Sequence, residues 1–309
     1  MEESGKESIA VVIPTYNRPH LLTAALASVF AQTRQPDELV VVDDGSSVSC
    51  EGVLAGYRDR VRYIYQENKG LSGARNTGIR ATRSQLLAFL DDDDVLEPDH
   101  LACLSRALER DATVSVAYGD ALYTDLDGRE LGIHSAILPE IRDGDEFPRN
   151  AFCLRCFPIP SSVMFRRRVF EKHGLFDETF RHAEDVEMWL RIVPWVRFVF
   201  VDRIVCRYRR HEDSLVRDLA NMESQLTRGL KERLGDPALP PEFRRFARTS
   251  FANLCLTQTG HYVRGGNTAE AVRCVGRLRR ASETGLVPFW FLLLREFCRR
   301  RAVRWFRSR

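Results

Sequence analysis

The chain has 309 residues, 44% of them hydrophobic, enough to bury a substantial core and to exclude a disordered polymer. Its 46 Lys and Arg against 43 Asp and Glu leave a net charge of +3, too small to point to nucleic acid as a partner. Met1–Ser8 lacks the charged-then-apolar pattern of a secretory signal, and the longest apolar run, Phe289–Leu294, is far short of the roughly 18–20 residues a membrane span needs, so a cytoplasmic protein is expected.

Residues Ile9–Ile13 form a short apolar run closed by Pro14 and read as a strand, and His20–Gln32 carries helical spacing at Leu21, Leu22, Ala25, Leu26 and Val29. Leu39–Val42 repeats the strand pattern and ends in Asp43-Asp44-Gly45-Ser46-Ser47, whose Asp and Ser side chains suit a cap on the next helix. A third strand follows at Val61–Tyr65, a helix at Leu71–Thr82, a fourth strand at Gln85–Leu90, and a helix at Glu97–Glu109 with Pro98 in its first turn. Such alternation predicts a mostly parallel sheet covered on both faces, with ligands gathering at the carboxyl ends of the strands.

Beyond a strand at Val114–Tyr118 the rhythm changes. Asp125-Leu126-Asp127-Gly128 suggests a turn and Ile137–Asn150 a long loop of the kind that closes over substrates. A strand at Ser162–Phe165, helices at Arg168–His173 and Val186–Ile192, and a strand at Phe198–Val201 follow. Past His211 the pattern is helical, with breaks near Gly235–Pro241 and at Gly265-Gly266. The expected organisation is an α/β domain over residues 1–214, with a nucleotide-binding half at about 9–110 and an acceptor half at about 111–214, and a helical extension over 215–309. From Phe289 to Arg309 there are seven arginines and one acid, with Trp290, Leu293, Leu294, Phe297 and Trp305 near one helical face. That tail suits peripheral contact with the inner face of an anionic membrane, or docking on the protein's own helices. The eight cysteines include a single CxxC pair, Cys153 and Cys156, and read as reduced, mostly buried thiols rather than a zinc site.

The chemistry gathers at Asp91, Asp92, Asp93 and Asp94, which follow an apolar strand. Four successive aspartates cannot all be charged and buried without strong repulsion, so they need solvent, partners or a cation. Hard oxygen ligands suit Mg²⁺ or Mn²⁺, which take one or two protein carboxylates and complete their shell with water and phosphate oxygens. A solvated acidic loop at the next helix is the plain alternative. At a strand end, facing Asp43 and Asp44 on a neighbouring strand, the run lies where an α/β sheet presents its ligand crevice.

Four ordered segments, Val11-Val12-Ile13-Pro14-Thr15-Tyr16-Asn17-Arg18, Val41-Val42-Asp43-Asp44-Gly45-Ser46, Gly73-Ala74-Arg75-Asn76 and Phe89-Leu90-Asp91-Asp92-Asp93-Asp94, resemble glycosyltransferase family 2 over about residues 9–211. The resemblance implies a GT-A fold: a Rossmann-like α/β domain with a mostly parallel central sheet and flanking helices, here extended by a C-terminal helical region. It implies a metal-dependent enzyme that inverts the anomeric carbon. The donor would be a nucleoside-diphosphate sugar, a UDP-sugar foremost, and the acceptor a carbohydrate or lipid-linked hydroxyl in polysaccharide or glycan synthesis. By similarity, Asp44 meets the nucleobase, walled by Pro14, Thr15 and Tyr16 with Arg75 nearby. Asp91 lies near the sugar or ribose beside Asp92, and Asp93 holds Mn²⁺ or Mg²⁺ as the second acid of a DxD pair.

A base for the acceptor proton is also required. The resemblance gives that role to Asp185, places Glu184 and Trp189 on the acceptor side, and lets His211 reach the metal or diphosphate. Arg209 and Arg210 beside His211 would suit a diphosphate through charge-assisted hydrogen bonds. Each residue also has a structural reading: Asp43 and Asp185 as helix caps, Tyr16 as core, Arg75 as a counter-charge to the acidic edge. Two rival functions remain. A sugar-phosphate nucleotidyltransferase would want a Gly-rich basic loop after the first strand, which Pro14–Arg18 does not supply. A non-catalytic nucleotide- or carbohydrate-binding relative would keep the fold without the reaction.

Overall fold

The computed structural model describes residues 6–57, 59–134, 158–211, 219–264, 266 and 268–282. The expected loop at Ile137–Asn150, the Cys153/Cys156 pair and the basic tail from Phe289 lie outside these residues. The chain divides into two compact units, residues 1–151 with 156–218, and residues 152–155 with 219–309.

The first unit is built on a nine-stranded sheet. Strands β1 (Ile9–Thr15), β2 (Glu38–Asp43), β3 (Arg62–Tyr65) and β4 (Leu86–Phe89) alternate with helices α1 (Pro19–Phe30), α2 (Glu51–Leu54) and α3 (Gly70–Ala81). All four run parallel in the order β3-β2-β1-β4. Every residue of β1 is buried, as a central parallel strand covered on both faces requires. Ile9, Val11 and Ile13 pack with Leu22, Leu26 and Val29 of α1 in one core. On the opposite face, a Cβ on Gly78 of α3 would come within 2.2 Å of Val12 Cγ1, so α3 lies as close to β1 as a missing side chain allows.

The remainder of the sheet is mixed, which departs from the mostly parallel expectation. Strand β8 (Val163–Arg166) lies antiparallel between β4 and β6 (Val114–Thr124), β7 (Glu130–Ile133) pairs antiparallel with β6, and β5 (Val95–Leu96) pairs antiparallel with β9 (Arg197–Arg209). Strands β6 and β9 run parallel through two register shifts around Asp120. Both strands are much longer than their apolar runs suggest. In β9 the charged Asp202, Arg203, Arg207 and Arg209 break the hydrophobic signal; Asp202 and Arg203 fall in a register shift, and pairing with β6 resumes at Ile204 and runs on to Arg209. That extension carries Arg209 to the end of β4.

Helix α4 (His100–Arg110) begins three residues later than its sequence suggests. The backbone N–H of Glu97 donates to Val205, and the carbonyl of Pro98 accepts from Thr33, so Pro98 belongs to the turn before the helix. Helices α5 (Arg168–His173) and α6 (Glu184–Ile192) complete the unit. Asp125 and Gly128 form the expected turn, the N–H of Gly128 donating to the Asp125 carbonyl.

The second unit contains α7 (Leu219–Gly235), α8 (Pro241–Arg264) and α9 (Thr268–Ser282), broken near Gly235–Pro241 and at 265–267. The guanidinium of Arg244 donates to the carbonyls of Leu234 and Asp236, satisfying groups left open where α7 ends. Among the described residues no helix is long and apolar enough to cross a membrane.

The contact between α3 and β1 gives a direct test. Gly78→Ala should lower stability by about 1–3 kcal/mol through overpacking against Val12. The expected readout is a lower urea midpoint with an unchanged slope. A midpoint equal to the parent's would show that α3 is not seated on β1 this closely.

Candidate active site

The carboxyl ends of β2, β1 and β4 lie side by side in that order, so Asp43 and Asp44 are separated from Asp91 by a whole strand rather than facing it from a neighbouring one. Thr15, at the end of β1, fills the interval and donates its hydroxyl to Asp92 Oδ2 at 2.7 Å. Asn17 adopts a left-handed conformation (φ 57°), which asparagine tolerates better than most residues. Its Oδ1 accepts from the Ser47 N–H at 2.8 Å, tying the loop after β1 to the loop after β2. Tyr16 is 48% exposed and not part of the core, whereas Pro14 and Thr15 beneath it are buried.

The two carboxylates after β2 have separate tasks. Asp43 accepts from the Ser46 N–H at 2.8 Å and from the Tyr63 hydroxyl at 2.7 Å, so it closes its own turn. Helix α2 starts without any side-chain cap, so the capping expectation for this segment does not hold. Asp44 instead serves a distant helix. Its Oδ1 accepts from Gln66 Nε2 at 2.6 Å and the Lys69 N–H at 2.9 Å, and its Oδ2 accepts from the Gly70 N–H at 2.7 Å. These contacts set a carboxylate on the positive end of α3. A carboxylate has about four acceptor positions, so room remains on Oδ2 for one further donor.

The run after β4 resolves into four different environments. Asp91 accepts from Arg75 Nη2 at 2.7 Å. Asp92 takes the Thr15 hydroxyl, and burial followed by the Asp93 charge pushes its pKa up to about 7. Asp93 Oδ2 lies 3.0 Å from both Arg18 Nη1 and His211 Nε2. Asp94, fully buried, accepts from Ser161 Oγ at 2.6 Å and from the Arg209 N–H at 3.2 Å. Burial, then the charges of Asp93 and Asp91, raise its pKa well above the usual carboxylate range. The crowding expected of four adjacent acids is therefore relieved by partners and by raised pKa values.

Arg75 is 0% exposed and contacts two carboxylates at once. Nη2 donates to Asp91 Oδ1 and Nη1 to Glu184 Oε1, each at 2.7 Å, and the guanidinium carbon lies 5.4 Å from the Phe176 ring centroid. Burial disfavours this cation, but Asp91 and Glu184 hold its pKa above the ordinary arginine value. So enclosed, it acts as a counter-charge and bridge, in keeping with its structural reading as a counter-charge to the acidic edge. Its neighbours on α3 grip the same distant segment: Ser72 Oγ donates to the Phe180 carbonyl, and Asn76 exchanges two hydrogen bonds with the Phe176 backbone. That segment leads to Ala183, whose left-handed backbone (φ 56°) turns the chain into α6 at Glu184. Asp185 follows in the first turn. Burial and then the Glu184 charge push its pKa up to about 7, against the opposing pull of Arg75.

Other expectations change with the geometry. Trp189 is 1% exposed, stacked on Phe165 at 5.4 Å and edge-on to Phe198, so it is core packing and not an acceptor-side surface. Arg209 donates to the carbonyls of Asp93, Leu21 and Asp92, which commits it to holding the acidic turn rather than a diphosphate. Arg210 lies over the Tyr123 ring at 4.1 Å. Two partners went unread in the sequence. Ser161 both donates to Asp94 and accepts the Asp91 N–H, and Arg18 pairs with Asp93, but their sequence distances of 67–75 residues leave no local signal.

Among the described residues no three His, Cys, Asp or Glu side chains form a ready-made metal cage. Asp93 and His211 nevertheless meet, and one carboxylate with one imidazole suits a divalent cation that fills its shell with water and diphosphate oxygens.

Residues 10–174 match the family described as Glycosyl transferase family 2. The succinoglycan biosynthesis protein ExoW of Rhizobium meliloti is 37% identical over 195 residues, 58% of this chain and 61% of that protein. The chain spans 36–64% of the length of four uncharacterised Rickettsia glycosyltransferases that it matches. In fold it resembles S. aureus TarS 1-349 in complex with UDP-GlcNAc (TM-score 0.64, 15% identity, 88% of this chain and 92% of that one). It also resembles the mannosyltransferase PcManGT from Pyrobaculum calidifontis in complex with GDP-Man and Mn²⁺ (TM-score 0.61, 18% identity, 96% and 81%). With a mixed α/β sheet of GT-A type and the matching segments at its strand ends, the chain belongs to glycosyl transferase family 2.

Proposed function

We propose that the chain transfers a sugar from a nucleoside-diphosphate sugar to an acceptor hydroxyl, with inversion, in the assembly of a polysaccharide or related glycan. The observation that carries the reading is the Arg75 bridge, which joins the acidic run after β4 to the Glu184–Asp185 pair through one guanidinium. Donor-side and base-side carboxylates thus belong to one assembly. The fold neighbours with UDP-GlcNAc and GDP-Man bound support a nucleotide-sugar donor, and ExoW supports a polysaccharide product.

In this reading Tyr16 offers an exposed ring to the base, Asp44 takes a base N–H on its remaining acceptor position, and Asp91 orients a sugar or ribose hydroxyl. Asp93 and His211 would hold Mn²⁺ or Mg²⁺, which when bound supplies positive charge for the departing diphosphate. Asp185 accepts the acceptor's proton as its oxygen attacks the anomeric carbon, and Glu184, paired to Arg75, holds its neighbour in place. The loop after β1, Pro14–Arg18, lacks the glycines that would cradle a triphosphate, which disfavours the nucleotidyltransferase alternative.

Two experiments test this. A panel of nucleotide sugars, UDP-GlcNAc and GDP-mannose among them, is assayed for binding and slow hydrolysis with Mn²⁺, with Mg²⁺ and with chelator. Chelation should suppress hydrolysis and Asp93→Asn should blunt the response to added metal; full activity in chelator would overturn the metal role. Asp185→Asn should lower transfer at least about 100-fold while donor binding persists. A base must be deprotonated, and the Asp185 pKa stands at about 7, so kcat/KM should rise with pH through that region in the parent and lose that limb in the variant. Equal activity of parent and variant would sink the base assignment.

A further inference from the structure

We infer that Arg75 is a positioning residue whose forked guanidinium seats the Glu184–Asp185 pair against the acidic run. The inference rests on Asp185 being the base for its functional meaning, but its geometry stands independently.

A guanidinium has five donors in a fixed plane, and here each terminal nitrogen serves a different carboxylate, Asp91 after β4 and Glu184 at the start of α6. Arg75 Nε has no hydrogen-bond partner among the described residues, so the side chain is committed to bridging at some cost. A lysine ammonium at this position is a point charge and lacks the planar fork. The other end of the bridge is under strain. Ala183 occupies a left-handed conformation that a β-carbon disfavours, and it does so immediately before Glu184. The bonds from Ser72, Arg75 and Asn76 of α3 are what hold residues 176–184 in that course.

The charges facing Asp185 come from several elements. Glu184 lies on its own helix, Arg75 on α3, Asp91 after β4, and the Tyr208 hydroxyl on β9. Tyr208 is kept neutral, its pKa raised by burial first and then by the surrounding acids. Arg75 is thus the one cation among them. Removing its charge must favour protonated Asp185, while removing the charge of Glu184 must favour the carboxylate.

The two changes therefore act in opposite directions, which a loss of packing would not do. The test follows Asp185 by ¹³C NMR in protein labelled at aspartate, titrated in chelator, with the resonance assigned by its loss in Asp185→Asn. Arg75→Gln should raise the midpoint by about one pH unit or more, Glu184→Gln should lower it, and the double variant should return it toward the parent. Where Arg75→Gln fails to fold, Glu184→Gln and the double variant decide. Midpoints that stay fixed, or that move the same way in both single variants, overturn the inference. The base assignment fails separately, if Asp185→Asn keeps its transfer activity while the NMR shifts appear as expected.

Discussion

Arg75 is enclosed by protein and carries a charge that Asp91 and Glu184 pair directly. Breaking a buried pair by removing one partner typically costs about 3–5 kcal/mol, because the orphaned charge remains inside. Here one cation supports two carboxylates, one of them 109 positions away from it in sequence, so the site closes around it. Helix α3 makes this possible. Its start receives Asp44, its middle presents Arg75, and its far side meets β1 at Gly78 with no room for a side chain. A displacement of α3 would disturb Asp44, the acidic run and the Glu184–Asp185 pair together.

The acidic run shows the same economy in its electrostatics. Four adjacent carboxylates become tolerable because each meets a different environment: a guanidinium, a hydroxyl, an arginine with an imidazole, and a buried serine with a backbone N–H. Asp93 is the member whose partners are both cationic or able to become so. That is the position where a divalent cation could take over an existing charge arrangement without requiring new repulsion to be overcome.

Much of this was legible in the sequence. The apolar runs of β1, β2 and β4 are continuous because both faces of a central parallel strand are buried, and the helices between them keep clean spacing. The second half was less legible for an equally physical reason. Strand β9 bulges at Asp202 and Arg203 and pairs again through Arg207, and these charged side chains reach solvent or carboxylates, so hydropathy sees only four of its thirteen residues. The candidate residues were visible as types but not as partners. That Arg75 bridges two acidic segments, that Trp189 stacks in the core, and that Ser161 braces the acidic turn all depend on contacts across 24–109 positions. No local pattern encodes such distances.

The partners also limit what the site can discriminate. Asp44 already accepts three hydrogen bonds within the protein and Asp94 two, so few directions remain on them for a ligand. Groups held this way meet a ligand without reorganising, which favours stabilisation of developing charge over adaptive recognition. In the proposed reading, such a rigid, prepaired edge suits features that all nucleoside-diphosphate sugars share, the base plane, the ribose and the diphosphate. It is poorly suited to telling one hexose from another, since stereoisomers differ only in the direction of single hydroxyls. Selectivity for sugar and acceptor must then arise from side chains outside the paired set, where a change of residue would not unseat Arg75 or release a buried charge.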